Sequence, residues 1–400
     1  MKNKYYLTIL PVAFLLMLSC KQNNVVDTGW DLNMYRAETT LDSLYKYYGC
    51  PDSYLLLETY PFDSVHKTTY QASEEQVGQS NQYSYLWPYS GTFSAVNALL
   101  EVTKDGKYKQ LLDSKILKGL DEYFDIRHKP YAYASYINSA AQSDRFYDDN
   151  IWIGIDFTDT YLMTNNSEYL DKAKLIWEFI LSGMDDKLGG GIYWVEQNKE
   201  SKHACSNAPG TVLALKLFKA TQDSSYFYEA EKLYIWTKEH LQDTTDYLIF
   251  DNINLNGKID KTKYSYNSGQ VMQAAVLLYQ LTGNKSYLID AQNIALSSYS
   301  FFFEDFKTAN GEQFKILKKG DIWFTTVMLR GYIELYHADN NKTYIEAFEK
   351  NLNYAWEHMR DNNGLFNTDW TGIQKNDKKW LLTQAGMIEM YARISNLTNK

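Results

Sequence analysis

The chain has 400 residues, a net charge of −9 from 40 Lys and Arg against 49 Asp and Glu, and 16 % aromatic residues, including 35 Tyr and 10 Trp. An acidic surface with no basic cluster repels nucleic acid and anionic lipid heads, so charge argues for a neutral partner. Three cysteines make no disulfide framework, and stability must come from a packed core.

A basic Met1-Lys-Asn-Lys start precedes a mostly apolar run, residues 5–18, too short to span a bilayer. The run ends in Leu16-Met-Leu-Ser-Cys20, which resembles a bacterial lipobox. Residues 1–19 are expected to be a lipoprotein signal peptide, Cys20 the lipidated first residue, and residues 20–30 a polar tether. That places the protein in the bacterial cell envelope, lipid-anchored in the outer membrane, on its periplasmic face or at the cell surface. Loss of Lys2 and Lys4 with the leader takes the net charge from −9 to −11.

Residues 36–48 predict a helix, after which five segments share one layout: a helix of small and apolar residues, a short polar turn, then an amphipathic helix. The turns end in Tyr108, Tyr169, Tyr226, Tyr287 and Tyr344, spaced 61, 57, 61 and 57 apart. Such a period marks a repeat architecture, and each turn offers Asp, Asn, Ser or Thr as an N-cap. The first helices, near 91–102, 148–163, 208–221, 268–281 and 321–337, read as an inner ring. The second helices, such as 169–181 and 226–241, read as outer ones with a wet face. A C-terminal helix at 382–394 completes the pair left open by 36–48. The expected fold is therefore all-α, an (α/α)6 barrel over residues 31–400, acting as a monomer; an open superhelix is the alternative.

Inner-to-outer turns are short, whereas outer-to-inner connections are long and rich in Gly, Tyr, Trp and Asn. All the long connections thus fall at the end where inner helices begin, the face on which function is expected. Three of them echo one another: residues 186–194, 246–251 and 361–366. The run 252–260 spaces its oxygens like a calcium loop, but three Asn lead it and Lys263 occupies the twelfth position, so a polar hairpin turn is the better reading. No HxH, HExxH, G-x-S-x-G or P-loop pattern occurs, and neither a catalytic metal nor a cofactor is expected.

Asp148 and Asp149 open the inner helix near 148–163. Two carboxylates at a helix start point roughly 100° apart. They reach opposite sides of one bound bond with carboxyls about 5 Å apart, which suits a retaining double displacement. The helix N-terminus favours an ionised nucleophile, and its charge raises the neighbour's pKa, keeping a proton for the leaving oxygen. Plain helix capping is the alternative reading of the pair.

The run Tyr147-Asp-Asp-Asn-Ile-Trp-Ile resembles the double-Asp signature of glycoside hydrolase family 76. Gly189-Gly-Gly-Ile-Tyr-Trp194, Lys202-His-Ala-Cys-Ser-Asn207 and Tyr264-Ser-Tyr-Asn-Ser-Gly269 match in order, and residues 314–330 more loosely. The chain departs from the family pattern at Cys205, Ala208 and Ser268, where isoleucine, glycine and glutamine are usual. The resemblance implies an (α/α)6-barrel endo-α-1,6-mannanase acting on α-mannan with retention, with Asp148 as nucleophile and Asp149 as acid/base. Trp87, Trp152, Tyr193, Trp194 and Tyr266 are expected to pack against sugar faces, and Asn150, Asn207 and Asn267 to bond hydroxyls, in competition with core packing and N-capping. Two other functions compete: a non-catalytic, surface glycan-binding lipoprotein, and a transglycosylase of the same fold.

Overall fold

The computed structural model describes Met1 and residues 32–62 and 81–398; the expected signal peptide, Cys20 and the tether lie outside the described residues. The helical body begins with α1 (Leu32–Tyr48) and strand β1 (Thr59–Tyr60), followed by α2 (Leu86–Thr103). The partner of α2 is broken into α3 (Gly106–Leu111), a π-helical turn (Leu112–Ile116) and α4 (Leu117–Leu120), and leads into β2 (Phe124–Asp125) and β3 (Ala132–Tyr133). Then come α5 (Tyr147–Thr164), α6 (Ser167–Ser182), β4 (Ser201–His203), α7 (Ala204–Thr221) and α8 (Ser224–Leu241). A hairpin, β5 (Phe250–Asn254) and β6 (Ile259–Lys263), precedes α9 (Ser265–Thr282) and α10 (Lys285–Phe302). A second hairpin, β7 (Phe303–Lys307) and β8 (Gln313–Leu317), precedes α11 (Ile322–Asp339) and α12 (Thr343–His358), and β9 (Lys379–Trp380) leads into α13 (Leu381–Thr398).

The inner helices α2, α5, α7, α9, α11 and α13 pack each on the next, and α13 returns to α2, so the ring closes. The structure is thus an all-α (α/α)6 barrel. α1 completes the last pair by packing on α13. Inner helices are buried almost all round, whereas α6 and α8 alternate buried and exposed positions.

Turn chemistry explains the repeat. Five inner helices end in a left-handed residue, Lys104, Asn165, Gln222, Gly283 or Asn340, whose N–H closes the helix. The next residue in each case, Asp105, Asn166, Asp223, Asn284 or Asn341, accepts a backbone N–H two residues on. The first four are the N-caps of the helices that follow, and Asn341 stands one place before the α12 N-cap, Lys342. The repeated tyrosines tie neighbouring outer helices together: Tyr108 bonds Glu38, Tyr169 bonds Asp113 and Tyr287 bonds Glu231. The 252–260 run forms the β5–β6 turn, with Gly257 at φ +81°.

Candidate active site

The inner helices begin at one end of the ring, and there their second residues converge. Trp87, Asp148, Cys205, Tyr266 and Trp323 are each the second residue of an inner helix, and all five line one cavity of about 290 Å³. Phe146, Asp149, Trp152, Trp194, Tyr264 and Phe324 complete much of its wall. Tyr266 stacks on Phe324 with ring centroids 4.0 Å apart, and Trp152 meets Trp323 edge-on at 6.4 Å. Among the described residues no Lys or Arg lines the cavity, whereas three carboxylates do: Asp148, Asp149 and Asp251.

Fourth residues lie about 200° round the helix from second ones, so they face the loops instead. Asn150 accepts the Tyr133 N–H at 2.8 Å and donates to the Tyr133 and Phe146 carbonyls. Asn207 accepts from Ile192 N–H at 2.7 Å and donates to the Ile192 and His203 carbonyls. Gln384 treats Phe366 and Trp380 in the same way, and Ser268 accepts from Ile249 N–H. Four inner helices thus hold the incoming loop with one side chain at the same position. Asn150 and Asn207 are fully buried, and backbone takes up their amides.

Asp148 and Asp149 are the second and third residues of α5, behind an N-cap, Phe146, that offers no side-chain bond. Asp148 Oδ1 accepts the Asp149 N–H at 3.0 Å. Its Oδ2 accepts from Trp194 Nε1 and from the Cys205 thiol, both at 3.2 Å. Burial raises the Asp148 pKa to about 6, against the pull of those donors. Asp149, 9 % exposed, is pushed well above the carboxylate range by burial and then by the Asp148 charge. The pair therefore splits: Asp148 ionises first and Asp149 keeps its proton, which are the states a nucleophile and an acid require.

Of the other residues named from sequence, Trp87, Trp152, Trp194 and Tyr266 line the cavity. Tyr193 does not; its hydroxyl donates to Asp185 at 2.8 Å, beside the buried Lys202 that bonds the Lys187 and Gly190 carbonyls. Asn267 also lies behind the wall, its amide directed at Asp251. Tyr264, which opens the 264–269 motif, also lines the cavity, and Asp251, His203 and Phe324 enter it without having been singled out. His203 stacks on Trp194 at 4.8 Å, and burial lowers its pKa to about 4, so it is neutral near pH 7. The available signal was positional: these residues sit at, or one to three places from, the first turns of inner helices or on strands feeding them. Cys50 and Cys205 are both free thiols.

Comparison with protein families matches residues 60–400 to Glycosyl hydrolase family 76. A family 76 mannosidase from Bacteroides thetaiotaomicron is 35 % identical, with a TM-score of 0.83 over 92 % of this chain and 99 % of that one. An inactive variant of an α-1,6-mannanase from Salegentibacter, solved in complex with α-1,6-mannotriose, is 25 % identical, with a TM-score of 0.69 over 90 % of this chain and 99 % of that one. The mannan endo-1,6-α-mannosidase DFG5 of Candida albicans is 28 % identical over 30 % of this chain and 29 % of its own length. The chain thus spans less than a third of that curated fungal relative.

Proposed function

The chain belongs to glycosyl hydrolase family 76, and from that premise we propose an endo-acting α-1,6-mannanase that cleaves α-mannan with retention. The observation that carries this reading is the adjacent acid pair in an aromatic cavity that, among the described residues, is lined by no cationic side chain. Asp148 attacks the anomeric carbon while Asp149 gives its proton to the leaving glycosidic oxygen, forming a mannosyl-aspartate. Asp149, now ionised, takes a proton from water as that water attacks the same carbon, and Asp148 leaves as the free carboxylate. Trp87, Trp152, Trp194 and Tyr266 offer faces to the sugar rings, and Asp251 accepts hydroxyl hydrogens. Within the same reading, Cys20 carries a lipid that holds the enzyme to the bacterial outer membrane.

The test is product analysis on debranched α-1,6-mannan with protein lacking residues 1–20, beside Asp148→Ala and Asp149→Ala. The expected result is a ladder of α-configured mannooligosaccharides from the parent, absent from both variants. Binding by all three proteins without new reducing ends would instead make the chain a glycan-binding lipoprotein. Products longer than the starting oligosaccharide would make it a transglycosylase.

A further inference from the structure

We propose that Cys205 is a positioning residue for the nucleophile, its thiol holding Asp148; the proposal rests on the function just given and deepens it. Cys205 is the second residue of α7 and 3 % exposed, and its side chain reaches the cavity. Its S–H donates to Asp148 Oδ2 at 3.2 Å, and Tyr266, the second residue of α9, lines the same cavity. Two helix starts, α5 and α7, are thereby linked through one thiol.

The arrangement fixes the carboxylate plane. Oδ1 is held by the Asp149 N–H at 3.0 Å, and Oδ2 by an indole N–H on one loop and the thiol on a helix. Without the thiol, the donor left to Oδ2 among the described residues is Trp194, on the 186–194 loop. A thiol is a weak donor, so it orients the carboxylate without quenching its nucleophilicity as a cation would. Burial pushes the Cys205 thiol pKa well up, so the S–H stays a donor across the working range and is no competing nucleophile. The other titratable groups facing Asp148 in the cavity are Tyr85, Asp149, His203, Asp251, Tyr264 and Tyr266, and a change at Cys205 leaves their identity untouched.

Cys205→Val removes the donor and adds a methyl group, whereas Cys205→Ser keeps a donor and gives up some volume. With Val, the acidic limb of kcat/KM on α-1,6-mannan should move up by about half a unit to one unit, with kcat down roughly three- to tenfold and KM nearly unchanged. Ser should return the limb to its wild-type place. The same comparison is read without substrate by carbon-13 NMR titration of the Asp148 carboxyl, identified by its loss in Asp148→Asn. An unshifted titration in Val, or equal shifts in Val and Ser, overturns the positioning role. If the wild type cleaves no α-1,6-mannan, the function reading fails while the NMR titration still decides the role of the thiol.

Discussion

The fourth-residue amides should be separable from the catalytic chemistry by the size of their stability effects. Asn207→Ala removes three hydrogen bonds, at 2.7, 2.9 and 2.7 Å, between a fully buried amide and the backbone of Ile192 and His203. At ~1 kcal/mol per bond, and more for backbone groups left buried without a partner, the loss is about 3–5 kcal/mol. For 400 residues, with an unfolding entropy of ~2 cal/mol/K per residue, that lowers Tm by roughly 4–6 °C. Ser268→Ala removes one bond to the loop, at 3.1 Å, and should cost about 1 kcal/mol, or 1–2 °C. Scanning calorimetry of both variants supplies the ratio. Ile192 is two residues from Trp194, which bonds Asp148, so Asn207→Ala should also lower kcat about tenfold or more, as misplacement of a reacting group does. Equal melting shifts in the two variants, or a shift under 1 °C for Asn207→Ala, would refute the assignment of these residues as loop holders.

Three shorter predictions follow from buried charge and close packing. Asp148 and Asp149 have folded pKa values raised above their unfolded ones, so their stabilising contribution is complete below about pH 4 and is lost as pH rises, for Asp148 through about pH 6. Asp149→Asn should therefore abolish cleavage yet raise Tm at pH 8, with a much smaller gain at pH 4.5; an equal gain at both would show that charge is not the cause. Glu389→Gln leaves Arg330 and Arg393 without their shared carboxylate, bonded at 2.7 and 2.8 Å to Arg330 and 2.7 Å to Arg393, and should cost about 3–5 kcal/mol in chemical denaturation. In Gly269→Ala the new methyl would lie 2.5 Å from Met328 Cα, where α9 and α11 meet backbone to backbone; a loss of about 1–3 kcal/mol is expected, and wild-type stability would contradict the contact.

Much of the barrel is written in local chemistry. The Tyr repeat and the Asp or Asn caps lie within four residues of one another, so sequence alone exposes them, and the outer helices start close to where the caps predict. The inner helices start earlier than expected, at Leu86, Ala204 and Ser265 instead of near 91, 208 and 268. Their N-caps, Tyr85, His203 and Tyr264, make no side-chain cap bond, so the usual start signal is missing there. The break of the second outer helix into a π-turn at Leu112–Ile116 carries no Gly or Pro to announce it. Asp251 stayed hidden because it enters the site from a β-strand paired with residues around 201–203 and 259–263, a relation fixed by long-range register.

One helix shows why environment, and not residue type, divides the acids. α5 carries Asp148, Asp149 and Asp156, all buried to a large degree. Asp156, farther down the bore, has Ser94 and Asn97 as bonding partners and the Arg330 charge acting on it, yet burial still takes it to about 7. At the mouth, the donors to Asp148 are an indole, a thiol and a backbone N–H, none of them charged. Inner-helix N-termini supply partial positive charge there in place of cations. A fixed Lys or Arg at the mouth would hold both carboxylates ionised and strip the pair of its proton. Among the described residues, Arg330 lies below the aromatic floor, 5.0 Å from the Trp323 ring and 5.7 Å from that of Trp152, and no cation lines the mouth, which favours one protonated and one ionised carboxylate there.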